Sequence, residues 1–231
     1  MEQKWPSAIV IVRHGESELN IAERLALSEP GTHSYGQGLR NVDVPLTEWG
    51  QRQARQTGQC LSQKYNFDFV FASPYLRSMQ TARGIAESFS GPFTIRQEER
   101  IREIEFGTLD GLTPEGVKQA YPAEYERRQR EGKYWYRPPG GESRPDVALR
   151  VHSFLGTMTR ECREKSVLVV CHAAVVLIFR RLLEHWNEEA YLATSLAEDV
   201  VNCSMSAYRF DPEKGRLVLD YFNQIAYEKS N

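Results

Sequence analysis

Continuous apolar runs recur along this chain, and each stops at a polar group. Residues 8–12 are apolar throughout and end in Arg13-His14-Gly15. Residues 67–72 are mostly apolar and end in Ser73-Pro74, and residues 166–171 end at His172. Short apolar runs bounded by turn residues predict strands buried on both faces. Further strands are expected at 93–95, 203–210 and 216–222. Helical spacing fills the intervals. One helix starts at Pro45-Leu46-Thr47-Glu48, with Thr47 as N-cap. A second follows Ser73, with Pro74 in its first turn and Arg77 just inside it. A third covers 144–163, where Val147, Val151, Phe154, Leu155 and Met158 share a face, and a fourth covers 173–185. Strands alternating with helices predict an α/β fold, a three-layer sandwich around a mainly parallel central sheet.

Two stretches depart from the alternation. Residues 21–45 are rich in Gly, Ser, Asn and Pro and read as one long irregular loop, placed to serve as a lid or pocket wall. Residues 113–136 are helical, charged and aromatic, interrupted at Tyr121-Pro122 and stopped by Pro138-Pro139-Gly140-Gly141. We read 113–140 as a small helical cap inserted in a single domain spanning 1–231.

Composition narrows the partners. The 231 residues suffice for one substantial core, and 41% hydrophobic with 26% charged is ordinary for a globular chain. A net charge of −2 exerts no bulk pull on nucleic acid or membrane. No apolar run approaches a membrane span, and the N-terminus shows no signal-peptide pattern. Cys60, Cys162, Cys171 and Cys203 lack metal-ligand spacing and read as reduced thiols, so a cytoplasmic location is expected. The cap interleaves arginines with tyrosines, as single-strand nucleic-acid surfaces do. The overall charge and the lack of a second basic patch point away from that partner.

The strand ends carry the chemistry. In open α/β sheets the C-terminal strand ends share one edge, where ligands bind. Arg13 and His14, Arg77, and His172 are therefore expected to converge. Taken singly, each has a plain structural role: a solvated strand end, a surface cation, a helix cap. Their joint placement on one edge is what favours a site. Two guanidiniums and two imidazoles suit a phosphate dianion. A neutral, oriented imidazole can accept a phosphoryl group, and neighbouring arginines keep it neutral. A leaving alkoxide needs a proton, for which Glu103 and Glu105 are the candidates. With arginines beside the histidines and no His-x-x-x-His, neither a metal nor another cofactor is expected.

These residues resemble the histidine phosphatase (phosphoglycerate mutase-like) superfamily. The matching motifs are Arg13-His14-Gly15-Glu16-Ser17, Ser73-Pro74 with Arg77-Ser78 and Gln80-Thr81-Ala82, Arg102-Glu103-Ile104, Gly141-Glu142-Ser143 and Cys171-His172. The resemblance implies His14 as the phosphohistidine nucleophile. It implies Arg13, Arg77 and His172 as holders of the phosphoryl group, with a hydrogen bond from Asn20. It implies Glu103, rather than Glu105, as the proton donor. Ala173 stands where the family most often has Gly, which implies a slightly tighter turn with the chemistry intact.

The second half looks most like the phosphatase half of the bifunctional fructose-2,6-bisphosphatases. The substrate pocket departs from theirs: Gly140, Ala173 and Leu177 occupy positions that are polar or basic there, and Tyr121 and Arg137 remain. The resemblance therefore implies a metal-independent phosphatase for a small phosphorylated metabolite, with Tyr121, Arg128 and Arg137 as possible contacts beyond the phosphate. Two alternatives stay open. One is a phosphoglycerate mutase-type phosphotransferase, although the mutases' Gly-Trp-Tyr-Asp segment after Asn20 is missing. The other is a non-catalytic phospho-ligand binding protein.

Overall fold

The structure is a computed structural model and describes residues 3–36, 38–91, 94–197 and 199–228. Its strands are β1 (Ala8–Arg13), β2 (Phe69–Ala72), β3 (Ile95–Gln97), β4 (Ser166–Cys171), β5 (Met205–Asp211) and β6 (Arg216–Gln224). They form one sheet in the order β3-β2-β4-β1-β5-β6. The first four are parallel, and β5 and β6 add an antiparallel edge. Its helices are α1 (Glu18–Ser28), α2 (Glu48–Ser62), α3 (Leu76–Ala86), α4 (Pro114–Ala120), α5 (Pro122–Trp135), α6 (Arg144–Glu161), α7 (Ala173–Leu183) and α8 (Glu188–Ala197).

The period of two explains the apolar runs. In β1, Ile9 and Ile11 face a core built with Val147 and Phe154 of α6 and Ile178 of α7. Ala8, Val10 and Val12 face the opposite core, with Leu61 of α2 and Met79, Ala82 and Ile85 of α3. In β4, Val167, Val169 and Cys171 join the first core and Leu168 and Val170 the second. A central strand covered by helices on both faces has no position left for a polar side chain. The three-layer α/β sandwich is thus the observed architecture.

Register aligns the strand ends. Arg13 pairs with Cys171 across β1 and β4, and Ala72 with Val170 across β2 and β4. His14, His172 and Ser73 therefore leave three adjacent strands at one level.

Several elements differ from the sequence pattern. Residues 21–45 are not one irregular loop. Their first third is helix α1, and Asn41–Asp43 form a 3-10 turn. Ser17 and Asn20 make a capping box at the start of α1, and none of its residues is buried, so no apolar stripe marks it. Helix α8 likewise carries no apolar stripe, with Tyr191 its buried residue. The second helix begins at Leu76 with Tyr75 as N-cap, so Pro74 lies ahead of its first turn. The short strand expected at 93–95 is observed as β3, displaced toward Gln97, while Phe93 lies outside the described residues.

The 113–140 stretch folds as α4 and α5, sharing Tyr121 at their junction. The α1–α2 connection is tied to it. Thr113 Oγ1 donates to Thr32 O at 2.6 Å and Thr113 N to His33 O at 3.2 Å. No helix among the described residues is long and apolar enough to cross a membrane.

Candidate active site

The turn after β1 presents His14. Gly15 N donates to Thr81 Oγ1 at 3.0 Å, and Thr81 Oγ1 donates to Arg77 O at 2.7 Å, which ties the turn to α3. The Gly15 N–H is thus spent on scaffolding rather than left for a ligand. The glycine serves close packing instead: a Cβ there would lie 2.5 Å from Gly50 O at the start of α2. Glu16 N bonds Gln53 Oε1 at 2.8 Å, and Leu46 N bonds Gln80 Oε1 at 2.8 Å. Several motif residues therefore hold the frame of the His14 turn.

His14 is almost fully buried. Its Nδ1 lies 2.7 Å from Gly15 O, which can only accept, so Nδ1 carries the proton. Arg77 Nε donates to His14 Nε2 at 3.2 Å, so Nε2 carries the lone pair. The two contacts agree on one neutral tautomer. Burial lowers the His14 pKa well below the ordinary 6.5, and the Arg77 and Arg13 charges lower it further.

Arg77 is itself 2% exposed and lies over the Tyr75 ring. Its Nη1 donates to Asn41 O at 2.6 Å, so the α1–α2 connection helps to set the guanidinium. Arg13 donates through Nη1 to Val200 O, and its Nε is buried without a hydrogen-bond partner.

His172, at the N-cap position of α7, bonds Ser73 Oγ through Nε2 at 2.8 Å. Its Nδ1 has no hydrogen-bond partner and lies 3.9 Å from Glu103 Oε2. The His14 and His172 ring centroids are 5.1 Å apart. Burial lowers the His172 pKa well below the ordinary 6.5 too, and the Arg77 and Arg13 charges add to the effect.

The two candidate acids separate clearly. Glu103 lines the cleft with Arg13, His14, Asn20 and Arg77. Glu105 does not line it, and its carboxylate accepts the Tyr75 hydroxyl at 2.7 Å. Asn20 faces the cleft with its Oδ1 already accepting from Ser17 N and Asn202 Nδ2, while Nδ2 lies 3.5 Å from Glu23 Oε2. Ala173 and Leu177 form part of the wall.

The cleft has two adjoining lobes of about 270 and 280 Å3. The first holds the residues above. The second runs between the α1–α2 connection and the 113–140 helices, along Tyr35, Leu39, Val44, Leu109, Val117 and Tyr136. Arg128 lines this second lobe. Tyr121 and Arg137 line neither lobe, and Arg137 is paired with Asp146.

Some cleft residues were not legible in sequence. Lys133 and Arg144 line both lobes, as does Glu23, whose carboxyl pKa burial raises. Asn202 donates to His14 O at 3.1 Å. Glu23, Lys133 and Arg144 sit in helices that carry other charged residues, and nothing local separates a cleft-facing charge from a solvated one. Among the described residues, no cluster of three or more His, Cys, Asp or Glu could hold a metal ion.

Comparison with known proteins follows this geometry. Residues 9–223 match the model of the histidine phosphatase superfamily (branch 1). The chain belongs to this superfamily. It is 31% identical over 208 residues to a 2,3-bisphosphoglycerate-dependent phosphoglycerate mutase of Rhizobium etli, covering 88% of this chain and 90% of that one. It is 34% identical over 164 residues to phosphoserine phosphatase 1 of Hydrogenobacter thermophilus, covering 71% and 70%. A rat 6-phosphofructo-2-kinase/fructose-2,6-bisphosphatase 4 is 32% identical over 186 residues, covering 80% of this chain but 34% of that longer protein. Among solved structures, a mycobacterial glucosyl-3-phosphoglycerate phosphatase bound to VO3 superposes with a TM-score of 0.71 at 23% identity, covering 94% and 99%. The histidine phosphatase fold and its phosphoryl-transfer family are thereby established for this chain.

Proposed function

We propose that the protein is a phosphatase that hydrolyses a small phosphomonoester through a phosphohistidine at His14, without a metal ion. The observation that carries this reading is the neutral His14 tautomer, whose Nε2 lone pair is held toward Arg77 at 3.2 Å in a buried cationic cleft. In the first step Nε2 attacks phosphorus and the phosphorus–oxygen bond to the organic group breaks. Glu103, in its acid form, gives the leaving oxygen its proton. In the second step Glu103 takes a proton from water, the water oxygen attacks phosphorus, and the phosphorus–nitrogen bond breaks. Arg13, Arg77 and His172 hold the phosphoryl oxygens throughout, where fixed charge in a buried site counts most. Asn20 Nδ2 adds a hydrogen bond. The helices of 113–140 act as a cap over the organic group, with Arg128 facing it.

The test compares wild type with His14→Ala on a panel of metabolite phosphomonoesters with a chelator present. The expected result is release of inorganic phosphate by wild type alone, at a rate the chelator does not change. A panel with no His14-dependent turnover, or a chelator-sensitive rate, overturns the reading. The 31% identity to a mutase over most of both chains favours a second reading, phosphoryl transfer between positions of a phosphoglycerate. The same assay with 3-phosphoglycerate decides it: inorganic phosphate supports the phosphatase, and an isomeric phosphoglycerate the mutase.

A further inference from the structure

Where the two lobes of the cleft adjoin, the wall holds two acceptors that the protein does not fully supply with donors. Glu23 comes from the middle of α1, a helix that buries none of its residues completely. Asn41 opens the 3-10 turn Asn41–Asp43 in the α1–α2 connection. Both line the phosphate lobe and the adjoining lobe.

Other carboxylates around the site have cations: Glu16 pairs with Arg24, and Glu142 with Arg102 and Arg150. Glu23 makes no ion pair among the described residues. The hydrogen bond it accepts, from Asn20 Nδ2, is long at 3.5 Å. The Asn41 amide is fixed in one orientation. Its Nδ2 donates to Asp110 Oδ1 at 3.1 Å, and a carboxylate only accepts, so turning the amide over would set oxygen against oxygen. Asn41 Oδ1 is thereby left buried with no hydrogen-bond partner. An acceptor taken from water without a donor costs free energy that a ligand's donor can recover.

The surroundings define the missing donor. Burial raises the Glu23 pKa, and the Asn20 hydrogen bond and the Arg13 charge offset this only in part. Lys133 and Arg144 line the same stretch of cleft from α5 and α6, and neither is paired with Glu23 among the described residues. With Arg13 and Arg77 in the phosphate lobe, the cleft is already cationic. An uncharged donor therefore suits Glu23 and Asn41 better than an ammonium does, because it fills the acceptors without adding positive charge.

We infer that Glu23 and Asn41 recognise a hydroxyl on the organic part of the substrate, so that the phosphomonoester bound at His14 carries a free hydroxyl as well as its phosphate. This rests on the phosphatase reading for what happens at His14. A hydroxyl has one proton to give and two lone pairs, so it donates to one acceptor at a time, and neighbouring hydroxyls serve both. Asn41 ties this recognition to the phosphate lobe. Its backbone O accepts from Arg77 Nη1 at 2.6 Å, so the turn that reads the hydroxyl also sets the guanidinium beside His14.

Phosphonates test this without turnover. Calorimetry compares three ligands at each length from two to four carbons: the plain alkylphosphonate, the ω-hydroxyalkylphosphonate and the ω-aminoalkylphosphonate. At one length or more, the hydroxyl ligand is expected to bind wild type about tenfold tighter than its plain partner, the scale of one hydrogen bond to a charged acceptor. The ratio of hydroxyl to plain affinity should fall toward one in E23A and in N41L, while E23Q, which keeps an acceptor oxygen, retains part of it. The ratio cancels any loss of phosphonate binding that a shifted Arg77 causes. Equal binding of plain and hydroxyl ligands at every length overturns the inference, as does a ratio unchanged in E23A or in N41L. A gain for the amine that exceeds the gain for the hydroxyl overturns it too, in favour of an ammonium. If plain phosphonates bind and hydroxyls add nothing, the phosphatase reading survives alone. If the Glu23-dependent gain is found but no phosphomonoester is hydrolysed, the hydroxyl site survives and the phosphatase reading falls. Failure of every phosphonate to bind overturns both.

Discussion

Arg77 Nε points its proton at Nε2 of His14 across 3.2 Å, while Gly15 O takes the proton of Nδ1 at 2.7 Å. A cation beside an imidazole lone pair does two things at once. It keeps the ring neutral, and it places positive charge where a phosphoryl group would arrive. Arg77→Gln removes the charge and keeps a donor. It is expected to lower kcat/KM for a phosphomonoester by about a hundredfold or more, as loss of one fixed electrostatic contact does. The His14 pKa, read by imidazole NMR, should move upward in that variant. An unchanged pKa would contradict the role assigned to the Arg77 charge.

Acid should destabilise the fold from a defined pH. His14 and His172 are both buried, with pKa values well below the ordinary 6.5. Above 6.5 both are neutral in the folded and unfolded chains. As pH falls below 6.5, the unfolded chain binds protons that the folded chain refuses, so stability is lost until the folded pKa values are reached. Each histidine adds up to about 1.4 kcal/mol per pH unit to that slope. Urea melts between pH 7.5 and 5 should show the loss, and His172→Asn should flatten it. A slope identical in wild type and variant would exclude His172 as a source.

Gly50 is predicted to be intolerant of a methyl group. A Cβ there would lie 2.0 Å from Glu16 O, in the turn that presents His14. The backbone on both sides is fixed, by the β1 register and by the Thr47 cap of α2. Gly50→Ala should lower stability by about 3 kcal/mol, at the upper end of ordinary overpacking. It should also lower kcat, because relief of the clash shifts the His14 turn. Thermal melts and steady-state rates check both.

Glu142 braces the segment that carries Glu103. Its carboxylate accepts from Arg102, from Arg150 and from Glu105 N, and Arg150 also donates to Glu103 O at 3.1 Å. Glu142→Gln leaves Arg150 without its charge partner. Stability should fall by about 2 kcal/mol, since the pair is mostly buried but keeps some solvent contact. If Glu103 is displaced, kcat should fall more for alkyl phosphates than for p-nitrophenyl phosphate, whose leaving group needs no proton. Equal losses on both esters would mean that Glu142 supports stability alone.

The chain's local pattern determined the layered fold and the strand-end residues. Apolar runs of strand length cannot be satisfied except between two helix layers, and parallel connections bring their C-terminal ends to one edge. Arg13, His14, Arg77 and His172 follow at once, because each lies within a few residues of such an end. Surface elements left no comparable trace. Helix α1 buries none of its residues, so its capping box was the only local signal.

Tertiary structure decided what sequence left ambiguous. Glu103 and Glu105 lie two residues apart in a chain segment outside any strand or helix, where residue type alone does not separate them and only the family resemblance favours Glu103. In the structure Glu103 lines the cleft while Glu105 accepts the Tyr75 hydroxyl at 2.7 Å. Arg128 and Arg137 look alike in the 113–140 stretch, yet Asp146 claims Arg137 while Arg128 faces the cleft. Lys133 and Arg144 come from different helices and meet only where α5 and α6 pack. A charge on a helix carries the same local pattern whether it meets solvent, a carboxylate or a cleft. The difference lies in long-range partners, which periodicity and spacing do not encode.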